Sequence, residues 1–191
     1  MPMISDGTAF HFSLSYYVNR TTLPFRPLVE YIAMTPVAVP SLIIGMGFLW
    51  AWISFPIYGT LAILVLAYTA RFTPQGYRAV SSTILQVHRD LEDSAVVSGA
   101  TKKRAAWDIL VPLIRPGLFS ATMLLFVLSM RELSTSLFLF TANTRVLAIV
   151  LYEQWESGSW ARVSTISLLY TALLFVIVFA GRKWMGVKSF D

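Results

Sequence analysis

Residues 31–70 read YIAMTPVAVPSLIIGMGFLWAWISFPIYGTLAILVLAYTA, and none of these 40 consecutive residues carries a charged side chain. A single helix of that length would be about 60 Å long, twice the thickness of the hydrocarbon core of a bilayer. The run must therefore fold back on itself. The bend is expected at residues 52–56, because proline removes a helical hydrogen bond and disfavours helix in the residue before it. We predict one helix over about 28–52 and a second over about 56–71, with a continuation of the second into the polar region left open.

The rest of the chain is equally apolar. Of its 191 residues, 56% are hydrophobic and 13% are charged, whereas about a quarter of the residues in soluble domains are charged. Two further uncharged runs, 116–130 and 163–180, predict helices over about 113–131 and 161–181. A shorter apolar segment, 9–19, is either part of a longer helix or a segment at the membrane interface. We therefore predict an all-α, polytopic transmembrane helical bundle with about four full spans and a partial N-terminal helix.

Three regions follow from this pattern. Residues 1–27 form an N-terminal segment, residues 28–181 form the transmembrane domain, and residues 182–191 form a tail. A polar loop at 79–112 interrupts the transmembrane domain. The chain has no cysteine, so it offers neither a disulfide framework nor a thiolate metal site.

The basic residues predict the orientation of the chain. If the polar loop is cytoplasmic, only Arg131, Arg145 and Arg162 of the 15 basic residues fall at or beyond the outer side. This bias is what the positive-inside rule expects of a multi-pass membrane protein. It also accounts for the net charge of +5 without a nucleic-acid partner, because the basic residues are not interleaved with aromatic residues as a base-stacking surface requires.

The polar loop predicts two helices joined by a tight turn. Residues 81–98 suit an amphipathic helix with a stripe of apolar and small residues at helical spacing: Ile84, Val87, Leu91, Ala95 and Ser98. Gly99 can adopt the left-handed conformation that ends a helix. Thr101 is a suitable N-cap for a second helix over about 102–110, and Pro112 marks the start of the next span.

The spacing within this loop resembles a motif of the permease subunits of binding-protein-dependent ABC importers, of the type I or MetI-like class. Their loop has the pattern E-A-A, three residues, G, nine residues, I-x-L-P. Here Asp93, Ser94 and Ala95 are followed by Gly99 and then by Ile109-Leu110-Val111-Pro112 at the same spacing. Asp93 replaces Glu, Ser94 replaces Ala and Val111 replaces Leu, so charge, small size and apolar character are kept. Residues 131–158 look like the ferric-iron branch, and the chain resembles the C-terminal half of its usual two-half permease.

This resemblance implies a transport subunit and not an enzyme, so no catalytic residue is predicted. The loop of such permeases docks on separate ABC ATPase subunits, which bind the ATP. A second permease half and a periplasmic substrate-binding protein complete the importer in the bacterial cell inner membrane. The resemblance implies docking roles for six residues: Asp93, Ser94, Ala95, Gly99, Ile109 and Pro112. No cofactor is expected in this chain, and its sequence contains no G-x-x-x-x-G-K-[ST] phosphate loop.

Several functional alternatives remain open at this point. Ferric iron is the solute that the resemblance favours, and thiamine, phosphonate, polyamine and sulfate are solutes of related branches. The chain could also be a truncated permease fragment without autonomous transport. A secondary transporter or channel is a third class, although its helices would be expected to carry buried coupling charges.

Other residues are candidates for the translocation path or for packing. Arg131 and Glu132, at the far end of the third predicted span, either line a path or gate or lie at the outer interface. Pro36 and Pro40 either form a gating hinge or fix a bend in the first span.

Two further pairs of residues are not assigned to the translocation path. Gly45 and Gly47 favour close helix packing. His88 and Glu92 are four residues apart on a predicted helix, but two ligands are too few for a metal, and no metal site is predicted.

Overall fold

A computed structural model describes the backbone of residues 2–184 and the side chains of all of these except residues 2–6, 182 and 184. The described residues contain no β-strand, in agreement with the predicted all-α class. Ten α-helices follow one another: α1 (Pro2–Arg20), α2 (Arg26–Met34), α3 (Ser41–Trp52), α4 (Leu61–Leu85), α5 (Asp90–Val97), α6 (Lys102–Ala105), α7 (Val111–Met130), α8 (Ser136–Leu139), α9 (Leu147–Glu156) and α10 (Trp160–Trp184). A 3₁₀ turn, Thr35–Val37, follows α2, and a π-helical segment, Ala106–Leu110, joins α6 to α7. The predicted tail lies outside the described residues from position 185 onward.

Two predicted spans are confirmed as helices close to their expected bounds. The expected 113–131 helix is α7, and the expected 161–181 helix is α10. The apolar segment at 9–19 lies within α1, so it is part of a longer helix.

The prediction of a single helix over 28–52, bent at Pro36 and Pro40, is wrong. The chain ends α2 at Met34 and begins α3 at Ser41, with the two helices bent at the break. Proline at 36 and 40 explains the break, because each lacks the N–H that a continuing helix needs and each disfavours helix in the residue before it. The next helix begins at Leu61 instead of 56 and continues through Pro74 to Leu85, so the continuation beyond residue 71 is confirmed.

The single amphipathic helix predicted over 81–98 is also wrong. Helix α4 ends at Leu85, and α5 begins at Asp90. Asp90, Glu92 and Asp93 occupy the first turn of α5, where negative side chains favour a helix N-terminus. A new helix therefore starts there, and the apolar stripe is broken: Ile84 is buried and Leu91 is exposed.

The described part of the chain offers two or three candidate spans, against the about four full spans predicted. By length and composition, two helices in the described part of the chain could cross a membrane, Lys102–Met130 and Trp160–Gly181. A third candidate exists if the bent pair Arg26–Val37 and Ser41–Trp52 counts as one broken span. Helix α3 alone has twelve residues and is about 18 Å long, which is too short for a bilayer of about 30 Å.

The chain divides into two compact units by its backbone contacts. The first unit comprises residues 1–35 and 73–124, and the second comprises residues 36–72 and 125–191. The core of the first unit is formed by buried residues of α4, the π-helical segment and α7: Val80, Ile84, Leu110, Ile114 and Ala121.

The second unit has its own core, in which α8 packs against α3 and α4. Ile63, Leu64 and Ala67 of α4 and Leu139 of α8 are buried together, and Phe48 of α3 packs against them. Each unit therefore contains one of the two regions in which the sequence places candidate site residues.

Candidate functional site

The predicted loop is a helix, a tight turn and a second helix, all within the first unit. Gly99 has a φ of +95°, and the Gly99 N–H donates to the Val96 carbonyl (3.0 Å) while the Ala100 N–H donates to the Ala95 carbonyl (2.9 Å). These two bonds form a Schellman motif, which closes the C-terminus of α5. The predicted role of Gly99 as the residue that ends the helix is therefore confirmed. We call residues 90–117 the docking loop, after the role that the family resemblance implies.

The second helix of the docking loop begins as predicted. The Thr101 hydroxyl accepts a hydrogen bond from the Arg104 N–H (3.2 Å), which caps α6. Arg104 and Asp108 then form an exposed ion pair at 3.1 Å, which contributes little stability because water screens it.

The docking loop leads directly into a long apolar helix. Helical structure is continuous from Lys102 to Met130, 29 residues, about 44 Å, with the π-helical segment inside it. Pro112 lies inside this helix and is exposed, and Ile109 is half-buried. The buried side chains that hold the segment in the core are those of Leu110 and Ile114.

The tip of the docking loop exposes apolar side chains beside charged ones. Asp93 and Ser94 are exposed, and Ala95 is half-buried. Large apolar residues are exposed on both sides of the Gly99 turn: Leu91, Val96, Val97 and Trp107. An apolar surface with flanking charges is suited to binding another protein, because the apolar part supplies the affinity and the charges orient the contact.

Glu92 departs from this exposed character. It is the buried residue of α5, and its Oε1 lies 3.1 Å from Nε of Arg20 at the end of α1. The Tyr16 hydroxyl donates to Glu92 Oε2 over 3.5 Å. Burial, and then the nearby Glu92 charge, raise the pKa of Tyr16. Removing one charge of such a buried pair generally costs about 3–5 kcal/mol.

This ion pair was missed at the level of sequence. His88 and Glu92 were considered together there as weak metal ligands, but they have different partners. His88 is exposed and lies 3.1 Å from Asp90, and Glu92 pairs with Arg20. No group of three potential metal ligands occurs among the described residues. The signal for this ion pair is an acidic residue that faces inward on an otherwise exposed short helix. Which residue faces inward depends on where α5 begins.

In the second unit, the break at Pro36 and Pro40 has its own polar partner. Arg71 of α4 donates from Nη1 to the Pro36 carbonyl over 3.3 Å, and its guanidinium lies 5.9 Å from the centre of the Phe72 ring. The Pro40 carbonyl accepts from the N–H groups of Ile43 and Ile44 at the start of α3. The Pro36 and Pro40 carbonyls are thereby satisfied, which supports a fixed bend. A gating hinge stays a prediction.

Arg131 and Glu132 have separate environments in the second unit. Glu132 Oε1 accepts from the backbone N–H and the hydroxyl of Thr135, each at 3.0 Å, so it caps the turn that leads into α8. Arg131 lines an apolar cavity of about 460 Å³ together with Tyr152, Trp155 and Tyr170. The described ion pairs do not join Arg131 to Glu132. Their role in a translocation path stays a prediction.

The two glycines of α3 differ in their packing. A Cβ atom on Gly45 would lie 2.9 Å from the Thr135 carbonyl oxygen and 3.1 Å from the Phe138 ring. A Cβ atom on Gly47 would have no atom within 4 Å. Close packing is therefore confirmed for Gly45, where α3 meets α8, and no described neighbour within this chain packs against Gly47, so that close packing there stays a prediction.

Comparison with known proteins places the docking loop in a family. Residues 13–185 match the family described as binding-protein-dependent transport system inner membrane component. The chain belongs to this permease family. The match covers most of both units and the whole docking loop, so the family resemblance seen in the loop sequence is confirmed.

Two curated relatives differ in their named solutes. The permease chain is 28% identical over 173 residues to the ferric transport system permease protein FbpB of Actinobacillus pleuropneumoniae, covering 90% of this chain and 25% of that protein. It is 25% identical over 158 residues to the putative 2-aminoethylphosphonate transport system permease protein PhnV of Salmonella choleraesuis, covering 80% of this chain and 60% of that protein. The chain thus spans about a quarter of the length of the first relative and less than two thirds of the second.

A solved structure shows the fold of the permease chain. A chain of the MetNI methionine ABC transporter superposes with a TM-score of 0.72, covering 96% of this chain and 91% of that chain at 18% identity. This similarity confirms the predicted MetI-like fold.

Proposed function

We propose that this chain is the transmembrane subunit of an ATP-driven importer and that it couples to a separate ATPase through the docking loop. The observation that carries the proposal is the continuous helix from Lys102 to Met130, which starts at the Gly99 turn. A rigid turn at one end and an apolar helix at the other suit a lever, because a flexible connection would absorb the motion. Family membership and the exposed apolar tip of the loop support the same role.

The partners follow from this role. ABC ATPase subunits bind the docking loop from the cytoplasm, a second permease half completes the path, and a periplasmic binding protein delivers the solute. The chain lies in the bacterial inner membrane as a multi-pass protein. The asymmetry of basic residues supports this orientation. The family description, a binding-protein-dependent system with an inner membrane component, supports the same assembly.

The proposed solute is ferric iron. The 28% identity to FbpB over 90% of the chain supports this solute. The similarity to PhnV supports 2-aminoethylphosphonate as a second candidate. As the family resemblance implies, the importer would take its selectivity largely from the binding protein.

Disulfide crosslinking tests the coupling role directly. The chain has no native cysteine, so Val97→Cys, at a position that is 88% exposed, places a single thiol at the tip of the docking loop. We expect this thiol to crosslink to a cysteine placed in the docking groove of the co-expressed ATPase. Ser157→Cys, near the exposed end of α9, is the matched control and should not crosslink. Crosslinking at Ser157 but not at Val97 would refute the proposed docking.

Uptake measurements distinguish the solutes and the fragment hypothesis. Vesicles that contain this chain, a second permease half, the ATPase subunits and the binding protein should accumulate radioactive ferric iron in an ATP-dependent manner. Vesicles without the second permease half should not. Accumulation of 2-aminoethylphosphonate in place of iron would overturn the proposed solute, and ATP-independent uptake would overturn the importer role.

A further inference from the structure

We propose that Arg20 is a positioning residue that holds α5, the first helix of the docking loop, against the last turn of α1 and the end of α4. This inference rests on the proposed function, because it concerns how the docking loop is kept in place. The residues involved all belong to the first unit.

The first observation is the burial of the Arg20–Glu92 pair. The side chains of Arg20 and Glu92 are 5% and 12% exposed, although most of α5 is exposed. A carboxylate without a partner would not be stable in this position, because burial removes the water that solvates its charge. Glu92 is therefore held inward by the guanidinium, and α5 is fixed in rotation about its own axis.

The second observation is that Arg20 also binds the segment in front of α5. Its Nη2 donates to the Ile84 carbonyl over 2.8 Å and to the Val87 carbonyl over 2.5 Å. The Ile84 carbonyl lies in the last turn of α4, where it also accepts from the Val87 N–H (3.2 Å), and the Val87 carbonyl lies in the connection to α5. One guanidinium thus joins the end of α4, the connection to α5 and α5 itself.

Neighbouring residues of α1 extend the same contact. The Arg89 guanidinium donates to the Asn19 carbonyl, and the Asn19 side-chain amide donates to the Ser81 hydroxyl over 3.0 Å. The Tyr16 hydroxyl donates to Glu92. The C-terminal end of α1, from Tyr16 to Arg20, therefore makes six contacts before and within α5, and Arg20 takes part in three of them, more than any other residue of α1.

The geometry explains why arginine is needed here. A guanidinium has five N–H donors in a fixed plane and can reach several acceptors at once, whereas the ammonium group of lysine is a compact charge on a flexible stem. A lysine at position 20 would keep the attraction to Glu92 but would not hold both carbonyls in the same arrangement. The docking loop is thereby anchored at two ends, by Arg20 before α5 and by Leu110 after α6.

A spin label on the docking loop tests the inference in the full chain. With a nitroxide at Val97→Cys and the chain in lipid nanodiscs, Arg20→Met should raise the mobility of the label, because α5 loses its contact to α1. Arg78→Met is the matched control: Arg78 is exposed, and its loss removes the same charge without touching α5. Arg20→Met combined with Glu92→Gln should lower the mobility again, because the buried charge without a partner is gone.

The coupling ratio, which is the amount of solute taken up per ATP hydrolysed, distinguishes a positioning role of Arg20 from a loss of folding. In the assembled importer, Arg20→Met should lower the solute taken up per ATP hydrolysed roughly tenfold, a loss that corresponds to about 1.4 kcal/mol. Arg20→Lys should restore this ratio in part. Poor folding would instead reduce the amount of assembled complex, with the ratio unchanged. If the Arg20→Met chain does not assemble into the importer, the same ratio is compared between Glu92→Gln alone and the double variant Arg20→Met, Glu92→Gln.

The outcomes separate this inference from the proposed function. Unchanged label mobility and an unchanged ratio in Arg20→Met, with Val97→Cys still crosslinking to the ATPase, would overturn the role of Arg20 alone. Absence of crosslinking in the otherwise unchanged chain would overturn the docking role itself.

Discussion

Gly45→Ala and Gly47→Ala form a matched pair that tests the packing of α3 against α8. Both glycines lie in the same helix, two residues apart. The new methyl group at 45 would lie 2.9 Å from the Thr135 carbonyl oxygen, closer than real Cβ contacts allow. Thr135 cannot move aside easily, because its hydroxyl lies within hydrogen-bonding distance of Glu132 Oε1 (3.0 Å) and of the Ser41 carbonyl (3.3 Å) and donates its single proton to one of them. The methyl group at 47 would lie in open space.

The expected magnitude follows from two opposing terms. Alanine in place of glycine stabilises a helix interior by about 0.5–1 kcal/mol, and this gain applies to both variants. Overpacking a tight contact costs about 1–3 kcal/mol, and this cost applies to Gly45→Ala alone. The helix term cancels in the comparison, so the two variants should differ by about 1–3 kcal/mol. For a chain of 191 residues, this corresponds to a difference in Tm of about 2–12 °C.

Thermal unfolding of the purified chain in detergent measures this difference through its six tryptophans. Gly47→Ala should unfold at or above the Tm of the unchanged chain, and Gly45→Ala should unfold below Gly47→Ala. Equal Tm values for the two variants, or a higher value for Gly45→Ala, would show that α3 and α8 do not pack as closely as the structure indicates.

Two further predictions concern the docking loop and the break before α3. Gly99→Val should leave membrane insertion intact and reduce the solute taken up per ATP hydrolysed, because a positive φ costs a β-branched residue at least about 1–2 kcal/mol. Gly158→Val, at an equivalent positive-φ turn after α9, is the control and should keep the normal ratio of uptake to ATP hydrolysis. Arg71→Met should lower the free energy of unfolding by about 1–3 kcal/mol, because the Pro36 carbonyl loses its donor. The control Arg78→Met should have a much smaller effect, and equal Tm values for these two variants would contradict the contact between Arg71 and the Pro36 carbonyl.

The docking loop shows which structural features could be predicted from the sequence and which could not. Gly99 and Thr101 were predicted correctly as the end of one helix and the cap of the next, because both roles depend on the residue itself and its immediate neighbours. The helix before them was predicted from a stripe that began at Ile84, and this prediction failed because the chain breaks between Leu85 and Asp90. Periodicity carries no information across a break, so the burial of Glu92 was not predicted.

The break in the first predicted span has a similar explanation. Pro36 and Pro40 were predicted to bend the helix, and the structure shows that they end one helix and precede another. The extent of the break depends on a partner for the freed carbonyl, and Arg71 is 35 residues away in the sequence. Proline spacing alone contains no information about that partner.

The sequence by itself determined the all-α membrane class, the positions of the two long apolar helices and the turn at the tip of the docking loop. These features depend on local composition, on the left-handed conformation that glycine tolerates and on the spacing of a short motif. Only the tertiary structure decided that Glu92 pairs with Arg20, that Arg71 meets the Pro36 carbonyl and that Gly45, unlike Gly47, contacts a neighbour. Each of these contacts joins residues far apart in the chain, and they form only where packing brings distant segments within a few ångströms.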